Sequence, residues 1–258
     1  MRIYNIRIPS KITSLVIVLL LTIAIFMSVL TQKVNYSHNV IDVSWPNCQS
    51  NTSITFANSI VGVNGGLDFK PNPCMGQEIS LSTDYELYLN TGDPGFPRIK
   101  LLGTAPLKCT KADNLVCYSY NYGYQAGVYS VKQALHANAH TDYWFLDVET
   151  DNSWTSSYLA NRADLAGMID AIKQYNFFAP KIAIYTTNYQ WHQIVGNWHI
   201  NLPIWLGTGG TNIATAVQAC RQTSFLAQPI ILAQYTLGSL DYDLTCHHWQ
   251  PPANYFNN

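Results

Sequence analysis

Eight short apolar segments, several separated by stretches of helical periodicity, constrain the fold of this chain most. They are Val40–Ser44, Ser59–Asn64, Tyr85–Asn90, the run from Tyr143 through Asp147-Val148-Glu149, Lys181–Thr186, Leu202–Gly207, Pro229–Tyr235 and Leu240–Leu244. Turn residues such as Pro46, Gly65-Gly66 and Gly92-Asp93-Pro94-Gly95 stop the early ones. Continuous apolar strands alternating with helices argue a parallel sheet covered on both faces. Eight of them within the 225 residues after Lys33 argue an α/β fold, a closed TIM-like (β/α) barrel. Several connections are too short for a helix, so the outer ring is expected to be incomplete. Two helices are legible. Tyr124, Val128, Val131 and Leu135 are spaced for one buried face, and Asn161 reads as the N-cap of a second helix burying Leu165, Met168, Ile169 and Ile172. Residues 95–118 read as irregular.

Polar side chains gather where these strands end: Asp42, Asn64, Asn90, Asp147, Glu149, Tyr185 and Gln234. In a barrel that is the end where catalytic groups sit. Asp147 and Glu149 are the sharpest pair. Strand side chains alternate, so both carboxylates face one side, roughly 6–7 Å apart at Cα, while Leu146 and Val148 face the other. Like charges that close push one pKa upward, which keeps a general acid protonated near neutrality. Glycoside hydrolysis needs such a donor for the leaving oxygen and a second carboxylate for the developing positive charge. An acidic strand end that caps a helix or binds a cation has the same local pattern.

The N-terminus reads as an address. Arg2, Arg7 and Lys11 precede nineteen uncharged, mostly apolar residues, Ile12–Leu30, long enough as a helix to span about 30 Å of hydrocarbon. Ser28-Val29-Leu30 makes a poor cleavage site, so an uncleaved signal anchor is expected, with residues 1–33 as cytoplasmic N-terminus and anchor. Residues 34–39 read as a spacer, 40–250 as the barrel and 251–258 as a polar, proline-bearing tail. The expected location is the cell membrane, single-pass, with the domain extracytoplasmic, or secreted if the anchor is cut. Beyond Lys33 lie all fifteen acids but ten of the fourteen Lys and Arg, which leaves no basic patch for nucleic acid or for anionic lipid. Nothing calls for a cofactor, and a monomer is expected. All six cysteines follow the anchor. An even count in an exported domain reads as disulfides, and the sequential pairing Cys48–Cys74, Cys109–Cys117, Cys220–Cys246 is expected. Cys246-His247-His248 lacks a second ligand pair at zinc spacing, so no metal is expected.

Four stretches, taken in order, resemble the family 25 glycoside hydrolases, the muramidases with an incomplete β/α barrel. Ile41-Asp42-Val43-Ser44 is similar to the family's opening strand, and Leu146-Asp147-Val148-Glu149 to its central Asp-x-Glu. Ile184-Tyr185-Thr186, with Tyr189 and Trp191, is similar to the following strand and aromatic loop. Gln234-Tyr235-Thr236 with Asp243-Leu244 is similar to the closing pair. The chain departs from the pattern at Trp45-Pro46-Asn47-Cys48 and at Ala233. The resemblance implies retaining hydrolysis of β-1,4 bonds of cell-wall peptidoglycan or a related polysaccharide. It implies Glu149 as proton donor, Asp147 as stabiliser of the substrate's acetamido group, and Asp42 and Asp243 as the supporting acids. Tyr185, Trp191, Trp205, Gln234, Tyr235 and Asn64 are the expected substrate-binding residues. A non-catalytic carbohydrate-binding barrel tethered to the membrane, and a scaffold for envelope assembly, are the alternatives.

Overall fold

A computed structural model describes residues 40–49, 56–95, 105–110 and 115–246. The expected anchor (1–33), spacer (34–39) and tail (251–258) lie outside the described residues. Among the described residues no helix is long and apolar enough to cross a membrane.

The strands are β1 (Val40–Val43), β2 (Phe56–Gly62), β3 (Ser82–Asn90), β4 (Tyr143–Asp147), β5 (Lys181–Thr186), β6 (Ile204–Gly207), β7 (Ile230–Leu237) and β8 (Leu240–Thr245). They close a barrel in chain order. Neighbours from β1 to β7 are parallel, as expected, but β8 is antiparallel to both β7 and β1. The expectation of a wholly parallel sheet fails there for a simple reason. Leu237 pairs with Leu240 across Gly238-Ser239, and Gly238 has a φ of 69°. A two-residue connection makes a hairpin, and a parallel crossover needs a dozen residues or more.

The helices are α1 (Met75–Ile79), α2 (Leu115–His136), α3 (Tyr158–Tyr175), α4 (Asn188–Val195) and α5 (Ile213–Cys220), with a 3-10 turn at Trp45–Gln49. Five helices serve eight strands among the described residues, so the ring is incomplete. Alternation along the strands divides the core in two. Val40, Ile60, Tyr88, Phe145, Ala183 and Trp205 fill the barrel. Ile41, Val61, Leu87, Trp144, Leu146 and Ile184 face the helices, where Leu165, Met168 and Ile172 of α3 meet them.

Two helix expectations are corrected. α3 starts four residues early: Ser157 Oγ is the cap, accepting from Ala160 N. Asn161 is wholly buried inside the helix and donates to the carbonyls of Thr155 (3.1 Å) and Ile194 (2.7 Å). On α2, Tyr124 and Val131 are buried, but Val128 is half-buried and Leu135 is 40% exposed. The buried face also takes in Gly123, Ala126, Gly127, Ser130 and Ala134, because α2 lies very close to α3. A Cβ on Gly123 would fall 1.9 Å from the Asp164 carbonyl oxygen, and one on Gly167 2.1 Å from that of Tyr120. Reading large apolar residues therefore misplaced the stripe.

All three expected disulfides are formed. Cys48–Cys74 joins the 3-10 turn after β1 to the start of α1. Cys109–Cys117 ties residues 105–110 to α2, and Cys220–Cys246 ties the end of α5 to the end of β8.

Candidate active site

A cleft of about 240 Å³ opens at the C-terminal ends of the parallel strands. Its walls come from Asp42 on β1, Tyr88 and Asn90 on β3, Asp147 and Glu149 at and after β4, Tyr185, Trp205 and Gln234 on β5 to β7, and Asp241 on β8. Of the residues expected from sequence, Asp42, Asp147, Glu149, Tyr185, Trp205 and Gln234 are brought together here.

The backbone around Asp147 and Glu149 is clamped on both sides. Asp147 sits in the ladder between Asn90 and Tyr185. Its carbonyl accepts from Thr91 Oγ1 (2.7 Å) and Asn152 Nδ2 (3.2 Å), and Glu149's carbonyl accepts from Trp154 Nε1 (2.7 Å). Val148 points away and is fully buried, so its neighbours are turned to the cleft. Asn90 Nδ2 donates to Asp147 Oδ2, and Asn90 is itself bracketed by Asn64, which bonds both its N–H and its carbonyl. Gln190 Nε2 donates to Glu149 Oε1 at 3.2 Å. That donor is delivered by a helix cap: Thr187 and Gln190 form the capping box of α4, which fixes the glutamine. A third chain runs from Tyr185 Oη to Gln234 Oε1 (2.6 Å) and from Gln234 Nε2 to Asp42 Oδ2 (3.0 Å).

Burial and charge act together on these acids. Asp147 is 3% exposed, and burial, followed by the charge of Glu149, raises its pKa well above the ordinary value. Burial also raises Glu149, against the opposing hydrogen bond from Gln190. Asp42 is raised well above normal by burial and then by Asp243 and Asp241. No lysine or arginine lines the cleft. A set of carboxyls this crowded holds protons that isolated ones release. Glu149 is half-buried and reachable from the cleft, as Asp42 and Asp241 are, while Asp147 is buried.

Four expected residues lie elsewhere. Asp243 is fully buried, accepts from Trp205 Nε1 at 2.5 Å, and is not part of the lining. Asp241 takes that place, because β8 runs backwards and its earlier residues reach the mouth: Asp241 pairs with Asp42, and Asp243 with Val40. Tyr235 alternates with Gln234, so it turns to the outside and stacks on Tyr242 at 5.9 Å. Trp191 is on the buried face of α4 with Ile194 and Val195, stacked 5.7 Å from Trp198. Asn64 stands behind Asn90. Sequence reasoning missed Asp241, Tyr88 and Gln190, and noted Asn90 without placing it in the site. The two-residue turn before Leu240 was the available signal for Asp241, and Thr187-x-x-Gln190 for the cap.

The one group of His, Cys, Asp and Glu close enough to share an ion among the described residues is Cys48, Cys74 and Glu78, and its cysteines are bonded to each other. A second set of acids, Asp68, Asp93 and Asp164, gathers where α2 and α3 meet the loops after β2 and β3. Asp93 and Asp164 are fully buried. Asp93 Oδ1 accepts from Gly95 N, while Asp93 Oδ2 and both carboxylate oxygens of Asp164 have no hydrogen-bond partner among the described residues. Burial raises all three, Asp68 to about 8.

A family model described as Lysozyme-like protein 1 matches residues 114–216. No curated protein sequence matches the chain. Among solved structures, the CTP1L endolysin is similar at 11% identity and a TM-score of 0.50, over 82% of this chain and 67% of that one. A family 25 glycosyl hydrolase from Bacillus anthracis is similar at 11% identity and a TM-score of 0.49, over 87% and 94%. The modular autolysin LytC from Streptococcus pneumoniae, solved with a synthetic peptidoglycan ligand, is similar at 15% identity and a TM-score of 0.46, over 80% of this chain. The chain spans about half the length of that autolysin, 46%. The likeness to the endolysin shows a shared barrel fold.

Proposed function

We propose that this lysozyme-like barrel is a glycoside hydrolase that cuts β-1,4 bonds of peptidoglycan with retention. The observation that carries the reading is the pairing of Asp147 and Glu149 on one clamped strand end, inside an open cleft at the catalytic end of the barrel. Glu149 is reachable from the cleft, so the proton that the crowded pair shares passes to it and protonates the leaving glycosidic oxygen, with Asp147 ionised beneath. Asp147, buried beneath it, stabilises the positive charge that develops as the bond breaks. In the retaining variant in which the substrate's own N-acetyl oxygen attacks the anomeric carbon, Asp147 orients the acetamido group. Water then opens the resulting ring, giving up its proton to Glu149. Tyr185 and Gln234 hold Asp42 beside the pair. Trp205, pinned by Asp243, forms the floor.

A non-catalytic binding barrel would be favoured by a cation neutralising Glu149 or by a filled cleft. Glu149 instead takes a neutral donor, Gln190, and the cleft is open. The reading extends to place: an uncleaved anchor at Ile12–Leu30 would hold the barrel, as a monomer, outside the cytoplasmic membrane facing the wall. Protease added to intact cells should then remove the domain and leave an N-terminal stub. A soluble form starting near Val34 would overturn the uncleaved anchor.

The deciding experiment measures new reducing ends released from peptidoglycan. Wild type should release them, and Glu149→Gln should be slower by about 10²–10⁴-fold, the usual worth of a general acid. Both should bind the insoluble glycan. Wild type that binds several wall types and cuts none would refute the enzyme. An unchanged rate in Glu149→Gln would remove that residue as the acid.

A further inference from the structure

The turn between α3 and β5 exposes two consecutive phenylalanines, Phe177 at 89% and Phe178 at 57%. The turn is held by its own hydrogen bonds. Asn176 Oδ1 accepts from Phe178 N at 3.1 Å, and the Asn176 carbonyl accepts from Ala179 N at 3.2 Å. Ala179 takes a left-handed φ of 47°, and Pro180 follows. Turn tips ordinarily carry Gly, Asn, Asp or Ser; this one presents the Phe177 ring to solvent and rests Phe178, still 57% exposed, on His140 with ring centroids 4.3 Å apart. Tyr175 and Leu135, each 40% exposed in the last turns of α3 and α2, widen the apolar surface. Lys173 and Lys181 are exposed on either side of the turn in sequence.

The position of this turn indicates what covers it. β1 runs parallel to β2, and so on through to β5, so Val40 and Lys181 begin their strands at the same end of the barrel. That is the end opposite the cleft. The 39 residues that precede Val40 include the apolar stretch Ile12–Leu30, with nine residues between it and β1. Fully extended, nine residues reach at most about 30 Å. Whatever bilayer holds Ile12–Leu30 is therefore within reach of the barrel end that carries the phenylalanines.

We propose that the Asn176–Pro180 turn docks on the lipid bilayer. Phe177 and Phe178 enter the headgroup boundary, where aromatic rings are favoured, and Lys173 extends to the polar headgroups. The cleft, at the other end of the barrel, then faces away from the membrane. The inference rests on the anchor reading above and is independent of catalysis.

The test uses the full chain in membranes, with a benzophenone amino acid in place of Phe177, or in place of Tyr189, which is 69% exposed at the cleft end. Photolysis should give lipid adducts from position 177 and none from 189. With the photoreactive residue at Leu135, the double variant Phe177→Ser, Phe178→Ser should lose lipid adducts about tenfold, because two buried rings no longer hold the surface down. Resistance to alkaline carbonate reports the anchor separately. A carbonate-resistant chain with no lipid adduct at 177 overturns the docking and leaves the anchor standing. A carbonate-extracted chain with no adduct overturns both, and an adduct from 177 to a second copy of the chain overturns the lipid surface as occupant.

Discussion

Two groups of acids are buried in this barrel, and they are built differently. At the mouth each principal carboxyl has a donor aimed at it: Asn90 at Asp147, Gln190 at Glu149, Gln234 at Asp42 and Thr236 at Asp241. Where α2 meets α3, Asp68 takes a hydrogen bond from Tyr122 and Asp93 a backbone N–H on one oxygen, while Asp164 has none among the described residues. Burial raises the pKa in both groups. A raised pKa therefore does not mark a catalytic centre in this molecule. What separates the two groups is the open cleft that the mouth acids line. The mouth keeps its acids oriented around space that a substrate can occupy, while in the outer group burial favours the neutral form of acids that line no part of that cleft.

The largest effect should come from removing the acid at the mouth and sparing the one outside. Glu149→Gln is expected to lower the hydrolysis rate by about 10²–10⁴-fold, and Asp164→Asn to leave it close to wild type. Equal losses in steady-state assays of the two folded variants would erase the distinction.

Disulfides should rank next. Cys48–Cys74 and Cys220–Cys246 each span 26 residues and fasten the barrel, whereas Cys109–Cys117 spans 8 beside the outer group. Loop entropy predicts about 3.5 kcal/mol for each long bridge and about 2.5 for the short one. Denaturant melts of paired Cys→Ala variants would show the order, and a larger loss for the short bridge would contradict it.

Gly123→Ala probes the outer group through packing. The added Cβ has no room beside the Asp164 carbonyl, so the helices must separate, costing about 1–3 kcal/mol. The melting temperature should fall while the glycan-cutting rate of the folded fraction holds. A falling rate would mean that the two regions are coupled.

Stability should also depend on pH. Asp68 titrates at about 8 in the folded barrel, against 3.8 for the model carboxyl. The folded state thus keeps a proton that the unfolded chain releases, and stability is lost as pH rises from about 4 through about 8. Asp68→Asn removes that slope. Its melting temperature relative to wild type should climb across this window, and a flat difference would show that Asp68 is ionised in the native protein.

Much of this was legible along the chain because it depends on local periodicity. The eight strands follow from apolar runs and the turn residues that end them. Asp147 and Glu149 follow from strand alternation, and the buried face of α3 from Leu165, Met168, Ile169 and Ile172. The three bridges agree with a simple sequential pairing. The α2 face was misread because a close helix crossing is lined by Gly, Ala and Ser, which carry little hydrophobic signal. Trp191 and Tyr235 looked like sugar platforms, but which side of an element faces a cleft is set by its neighbours, and theirs turned both away.

The sequence by itself determined the barrel, the end of it that holds the acids, and the identity of the pair at the heart of the cleft, because strand period and composition act within a few residues. Only the tertiary structure decided which acid from the last strand joins that pair. A two-residue turn reverses β8, so Asp241 rises to the mouth and Asp243 sinks to hold Trp205, although both stand on the same inward face. Direction across the closed sheet, a property of the whole barrel, fixed that choice.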